Sequence, residues 1–200
     1  MQKVMKVFGI GFHKTGTSSL GEALRILGVA PIANYTPELL QSIEAEDFET
    51  VREYCSGFQG FEDNPWPIIY QQMDKMFPGS KFVLTIRDSD AWIQSITKHF
   101  GSEQTEMRRW IYGAQHGAPV GSENIYRQRY DRHNEEVLDY FSDRPNDLAV
   151  LNWTEGASWQ KLCDVLGMAV PQQPFPHTNR AEQRTLLGRL KTRFRTDIGK

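Results

Sequence analysis

One stretch limits the fold of this chain more than any other: residues 8–28, FGIGFHKTGTSSLGEALRILG. It continues an apolar run, residues 4–12, that predicts a buried parallel strand. A short polar loop follows, with Gly11, Lys14 and Gly16, and then the hydroxyl cluster Thr17, Ser18, Ser19. Leu20, Ala23, Leu24 and Leu27 fall at i, i+3, i+4 and i+7, the pattern of a helix with one buried face, and Gly28 stands at its C-cap position.

Strand and helix patterns alternate along the rest of the chain. Residues 29–33 suit a short strand, 37–54 an acidic helical stretch in one or two pieces, and 58–61 a weak strand ending in Glu62–Asp63. Residues 67–77 read as a helix stopped by Pro78–Gly79, and KFVLTI at 81–86 as a second strong strand. Asp88 opens a helix running to residue 100, residues 101–122 read as an irregular insertion, and 125–141 as a long polar helix. A third strong strand at 148–152, a helix at 158–166, a proline-broken segment at 170–176 and a basic helix at 182–194 complete the chain. This order predicts a three-layer α/β/α domain over residues 1–200 with a central parallel sheet and an insertion around 101–145. Ligands of such sheets sit at the carboxyl ends of the strands, so loops 11–18, 62–66 and 87–90 should meet at one edge.

Composition removes other classes. An apolar fraction of 39% with 12% aromatics suits a folded core, and a net charge of −2 argues against a nucleic-acid binder. The two cysteines, Cys55 and Cys163, lack metal-ligand spacing and suit buried thiols in a reducing compartment. No stretch is apolar enough to span a membrane and the first strand starts within a few residues, so a cytoplasmic protein without a signal peptide is expected.

The loop has chemistry of its own. A helix start offers unpaired N–H groups and a positive dipole end, which suits a phosphate. Gly16 permits close backbone approach, Thr15, Thr17 and Ser18 add hydroxyls, and Lys14 adds a charge. The plainer alternative is an N-cap turn, but a cap needs one hydroxyl and neither the lysine nor the glycine. The nucleotidase pattern G-x-x-x-x-G-K-[ST] puts its lysine after the second glycine; here Lys14 precedes Gly16.

GFHKTGTSSL resembles the 5′-phosphosulfate loop of the P-loop sulfotransferases, in which a lysine precedes Ser/Thr–Gly–Thr. That resemblance implies 3′-phosphoadenosine 5′-phosphosulfate (PAPS) as sulfuryl donor, with no metal, and a P-loop NTPase-like fold. VLTIRDSDAWIQSI is similar to the family's 3′-phosphate segment, which implies that Arg87 and Ser95 grip that phosphate; the alternative is an Arg87–Asp88 pair. VLNWTEGASWQKLCDVLGMAVPQQPFPHTN looks like the late strand–helix–proline segment of a short branch of the family, expected to be structural. The late Arg–Lys–Gly clamp of many relatives is missing, with Arg180 and Arg184 as stand-ins.

The resemblance implies that Lys14 neutralises the leaving phosphate and that backbone N–H groups of residues 15–18 hold the 5′-phosphate; His13 adjoins the loop, where it could contact the sulfuryl group or equally pack beside the strand. Relatives often carry a histidine base where this chain has GFEDNPWP. Asp63 is the first choice of base and Glu62 the second, because an acid near Lys14 should stay ionised; an Asx turn before Pro65 is the equal alternative for Asp63. His116 could line an acceptor pocket, and Trp66, Tyr70, Trp92, Trp110 and Tyr112 suit the core better than a pocket. The acceptor, a small molecule, glycan or lipid, is not legible. Two other readings stand beside this one: a nucleotide kinase or NTPase, which asks for lysine where Thr17 stands, and a non-catalytic nucleotide-binding relative.

Overall fold

A computed structural model describes residues 5–156 and 158–177, so the basic helix expected at 182–194 and both Arg180 and Arg184 lie outside the described residues. Five parallel strands form one sheet in the order β2-β3-β1-β4-β5: β1 (Val7–Gly9), β2 (Ile32–Ala33), β3 (Gly60–Phe61), β4 (Lys81–Ile86) and β5 (Leu148–Asn152). The helices are α1 (Thr17–Ile26), α2 (Pro37–Glu44), α3 (Phe48–Ser56), α4 (Trp66–Met76), α5 (Ser89–Phe100), α6 (Glu106–Tyr112) and α7 (Glu123–Tyr140) between strands, and α8 (Trp159–Leu166) after β5. This is the three-layer α/β fold that the alternation of patterns predicts, with the P-loop-like strand–loop–helix at its centre.

The two faces of the sheet follow from the two-residue period of a strand. Phe8, Phe82 and Leu84 point to one side, where Ile69, Tyr70 and Met73 of α4 and Val137 of α7 cover them. Val7, Val83 and Leu151 point to the other, beneath Leu20, Ala23 and Leu24 of α1 and Leu162 and Leu166 of α8. Burial on both faces explains why the strong strands read as unbroken apolar runs.

β1 is shorter than the apolar run that announces it. Ile10 still donates to Val83 O at 2.8 Å, but from Gly11 the chain leaves the ladder. A Cβ on Gly11 would sit 2.0 Å from Thr85 Oγ1, so only glycine lets the loop press against β4. Ile10 and Phe12 are fully buried as loop residues, and their hydrophobicity records burial rather than strand length.

The segment expected to be irregular contains α6, capped by Thr105, whose side chain accepts from Arg108 N. Seven residues carry little periodicity, so sequence did not show this helix. Its Met107, Ile111 and Tyr112 join Phe12, Trp92, Tyr126 and Tyr130 in a third core cluster, so α5, α6 and α7 pack as a unit beside the phosphate-type loop. Among the described residues no helix is long and apolar enough to cross a membrane.

Candidate active site

The loop after β1 opens on the carboxyl edge of the sheet, at its centre. Gly16 is the N-cap of α1 in the left-handed region (φ 105°), and no side chain caps that helix end. Thr36, Asp47 and Asp88 do cap α2, α3 and α5. The capping-turn alternative for the loop therefore fails, and the first-turn amides of α1 keep the anion affinity of an uncapped helix start. A Cβ on Gly16 would lie 1.8 Å from Trp153 Nε1, so glycine is required here by neighbour and by backbone.

A cleft of about 500 Å³ opens over this loop. Residues 13–19 form its floor, Arg87 and Ser95 one wall, Asn152, Trp153 and Thr154 another, and Asp63, His99, Phe100 and His177 also border it. The three loops expected to meet therefore do meet. Lys14 and Ser18 border the cleft, Lys14 in the left-handed region (φ 66°). Thr15 borders it too, yet its donors are spent within the protein. Its N–H goes to Phe12 O at 3.3 Å, and its hydroxyl bonds Phe12 O and lies 2.6 Å from Thr85 Oγ1. Thr15 thus fastens the loop to β4, contrary to the expectation that its hydroxyl and N–H serve a ligand.

Arg87 ends β4. Asp88 does not pair with it but accepts from Ala91 N at 2.8 Å, capping α5. Arg87 Nε is buried with no hydrogen-bond partner, a costly state unless a ligand anion completes it. Its main chain is held by Tyr130 of α7, whose hydroxyl accepts from Arg87 N and donates to Arg87 O, each at 2.8 Å. Trp153 Nε1 is a second buried donor without a partner. The segment around Trp153 was expected to be structural and in fact walls the cleft. The signal was available, since β5 ends at Asn152 on the carboxyl edge beside β4.

Asp63 follows β3 in the left-handed region (φ 67°). One oxygen accepts the N–H of Asn64 at 2.8 Å and the other faces the Thr17 hydroxyl at 3.5 Å. Burial pushes its pKa up, and the opposing pull of those bonds and of Lys14 is smaller, so the expected dominance of Lys14 does not hold. Glu62 is pushed up to about 7 by burial first and by the Asp63 charge second.

His13 is buried, and burial with the nearby Arg108 and Lys14 charges lowers its pKa to about 3, so it is neutral. Its Nδ1 accepts from Asn64 Nδ2 at 2.9 Å, which leaves Nε2–H to Tyr112 Oη at 3.2 Å, and its carbonyl accepts the indole N–H of Trp92 at 2.9 Å. A histidine with both nitrogens engaged and so low a pKa is a poor base. His116 pairs with Ser122 Oγ at 3.0 Å and borders neither cleft, against the expectation of a pocket role. Trp66, Tyr70, Trp92 and Tyr112 are core residues.

A second cleft, about 460 Å³, adjoins the first. His13, Asp63 and Phe100 border both, which makes Asp63 the carboxylate at the junction.

The family comparisons agree with this geometry. The sulfotransferase domain family matches residues 6–117 and 105–184. A relative, Ava biosynthesis cluster protein M of Aspergillus versicolor, is 24% identical over 214 aligned positions covering 86% of this chain and 80% of that protein. With the family matched along most of its length, on a parallel sheet whose central loop ends in an uncapped helix, the chain belongs to the sulfotransferase domain family.

Proposed function

We propose that this protein transfers a sulfuryl group from PAPS to a hydroxyl or amine acceptor. The observation that carries the proposal is the single cleft joining the uncapped start of α1, Lys14, the buried unpartnered Nε of Arg87, and Ser95. These donors fit a ligand with phosphates at two ends. The amides of residues 16–18 with Lys14 suit the 5′-phosphosulfate, and Arg87 with Ser95 suits the 3′-phosphate. Trp153 against Gly16 offers an indole face and an N–H on the far wall.

In the transfer, the acceptor oxygen forms a new S–O bond as the bond from sulfur to the bridging phosphate oxygen breaks. The acceptor's proton passes to Asp63, and adenosine 3′,5′-bisphosphate (PAP) leaves. Asp63 stands where the two clefts meet, which is where a base must stand. Lys14 offsets the negative charge that grows on the leaving phosphate. A nucleotide kinase or NTPase would need its lysine one place after Gly16, and Thr17 stands there with its hydroxyl facing Asp63. We place the reaction in the cytoplasm, on a small-molecule, glycan or lipid acceptor.

The test is conversion of PAPS to PAP, followed by chromatography, for wild type, Lys14→Ala and Asp63→Asn. Lys14→Ala should lose several kcal/mol of transition-state stabilisation, as for a deleted preorganised charge contact. Asp63→Asn should bind PAP normally and lose about 10²-fold or more in turnover. Turnover of both variants within a few-fold of wild type contradicts the proposal.

A further inference from the structure

The second cleft carries an electrostatic signature that bears on the unknown acceptor. Three of its bordering side chains are carboxylates: Glu62, Asp63 and Glu106. One is a cation, Arg108, and its guanidinium is already committed. Arg108 Nε donates to Gly117 O at 2.9 Å and NH2 to Glu103 O at 2.5 Å, the Glu103 carboxylate lies 3.6 Å away, and the group stacks over Phe100 at 4.5 Å. His13, also on this border, is neutral. Even with Glu62 protonated, Asp63 and Glu106 outnumber the committed arginine. Tyr35 at the rim senses the same field, since burial first and then Glu106, Glu38 and Glu44 push its pKa up.

Two buried oxygens there lack partners. Glu62 Oε2 and Asn64 Oδ1 have no hydrogen bond, and both residues border this cleft. The amide oxygen of Asn64 can only accept, so it is met by a ligand that brings an N–H or O–H group, and Glu62 Oε2 accepts in the same way when its carboxyl is ionised. The Asn64 amide is oriented by its bond to His13 Nδ1, so its oxygen cannot turn away without losing that bond.

We propose that the second cleft takes a hydroxylated small molecule that is uncharged or bears an ammonium group, and that it discriminates against acceptors bearing a carboxylate. The inference rests on the sulfotransferase reading above. A carboxylate on the acceptor would bring its charge beside Asp63 and Glu106 and leave Asn64 Oδ1 unsatisfied. An ammonium or hydroxyl group does the opposite on both counts.

Three phenols of one skeleton test this: tyramine, tyrosol and 4-hydroxyphenylacetate, compared by PAP formation at saturating PAPS and pH 7. The expected order in kcat/KM is tyramine at or above tyrosol, with 4-hydroxyphenylacetate lower by about tenfold or more. Glu106→Lys, at an exposed position, should narrow the ratio of tyramine to 4-hydroxyphenylacetate by about threefold or more. Equal use of the three, preference for the carboxylate, an unchanged ratio in Glu106→Lys, or turnover of none while PAP still binds overturns the inference. Failure to bind PAP at all overturns the sulfotransferase reading instead, so the two failures are told apart by a PAP titration of the same preparation.

Discussion

The hydroxyl of Tyr130 bridges both main-chain polar groups of Arg87, accepting its N–H and donating to its carbonyl at 2.8 Å each. Tyr130 in turn stacks on Trp92, with ring centroids 4.2 Å apart and planes 12° from parallel, and Trp92 holds the carbonyl of His13 at 2.9 Å. A chain of contacts from α7 through α5 thus fixes the strand-end arginine and the phosphate-type loop in one frame. Preorganisation of this kind is what the proposed anion site needs, because Arg87 would then meet a bound anion without reorganising.

Tyr130→Phe should keep the stack and lose the bridge. The main-chain N–H and C=O of Arg87 would lose their partner, at a cost of about 1–3 kcal/mol in stability. PAP affinity should fall several-fold while adenosine 5′-monophosphate affinity changes less, because Arg87 is displaced rather than removed. Urea unfolding and calorimetric titration read both effects. Unchanged PAP affinity in a destabilised variant would assign Tyr130 to the core alone.

Arg87→Ala removes the side chain whose Nε is buried without a partner. It should weaken PAP by roughly 1.5–3 kcal/mol, the scale of a charge-assisted pair, and leave adenosine 5′-monophosphate nearly unaffected. Equal losses for the two nucleotides would mean that Arg87 does not read the 3′-phosphate.

Gly16→Ala faces two penalties. The φ of 105° lies where L-residues are strained by about 1–2 kcal/mol, and the new methyl carbon would lie 1.8 Å from Trp153 Nε1. Trp153 must move, so PAP affinity should drop at least about tenfold, with a shifted tryptophan emission spectrum. Wild-type affinity would show that the wall formed by Trp153 is dispensable.

Much of this architecture was legible because period and burial coincide. KFVLTI is β4 residue for residue, and the helix from Asp88 begins at its cap. That loops 11–18, 62–66 and 87–90 meet at one edge could be read because each follows a strand in a parallel sheet, whereas Arg87 and Asp63 within them were singled out by the family resemblance. Tyr130 could not, since its partner Arg87 lies 43 positions away and nothing in a polar helix pattern marks one tyrosine as a backbone brace. Trp153 was missed because its segment looked like ordinary strand-to-helix packing. The inward turn of the Thr15 hydroxyl depends on Gly11 pressing against Thr85, a tertiary contact that local sequence does not encode.

Glu62 gives a pH signature. Its folded pKa of about 7 stands above the ordinary 4.5, so between those values the native state holds a proton that the unfolded chain releases. Its contribution to stability is therefore full below about pH 4.5 and declines as pH rises to about 7, by about 3 kcal/mol in total. Glu62→Gln carries no such proton, so the stability difference, variant minus wild type, should rise with pH across that window. Urea unfolding at pH 4.5, 6 and 8 measures it, and a difference independent of pH would mean that the Glu62 carboxyl is not raised.

The most direct measurement is a thermal-shift comparison of the wild-type protein with PAP, ATP–Mg²⁺ and GTP–Mg²⁺ at equal concentration. Saturating PAP at about 100 times its Kd should stabilise the fold by about 2.7 kcal/mol, and the two triphosphates should shift it little, because Lys14 precedes Gly16 and the proposal gives the buried Arg87 Nε a 3′-phosphate that neither triphosphate carries. A larger shift with either triphosphate than with PAP would contradict the assignment of this cleft to PAPS.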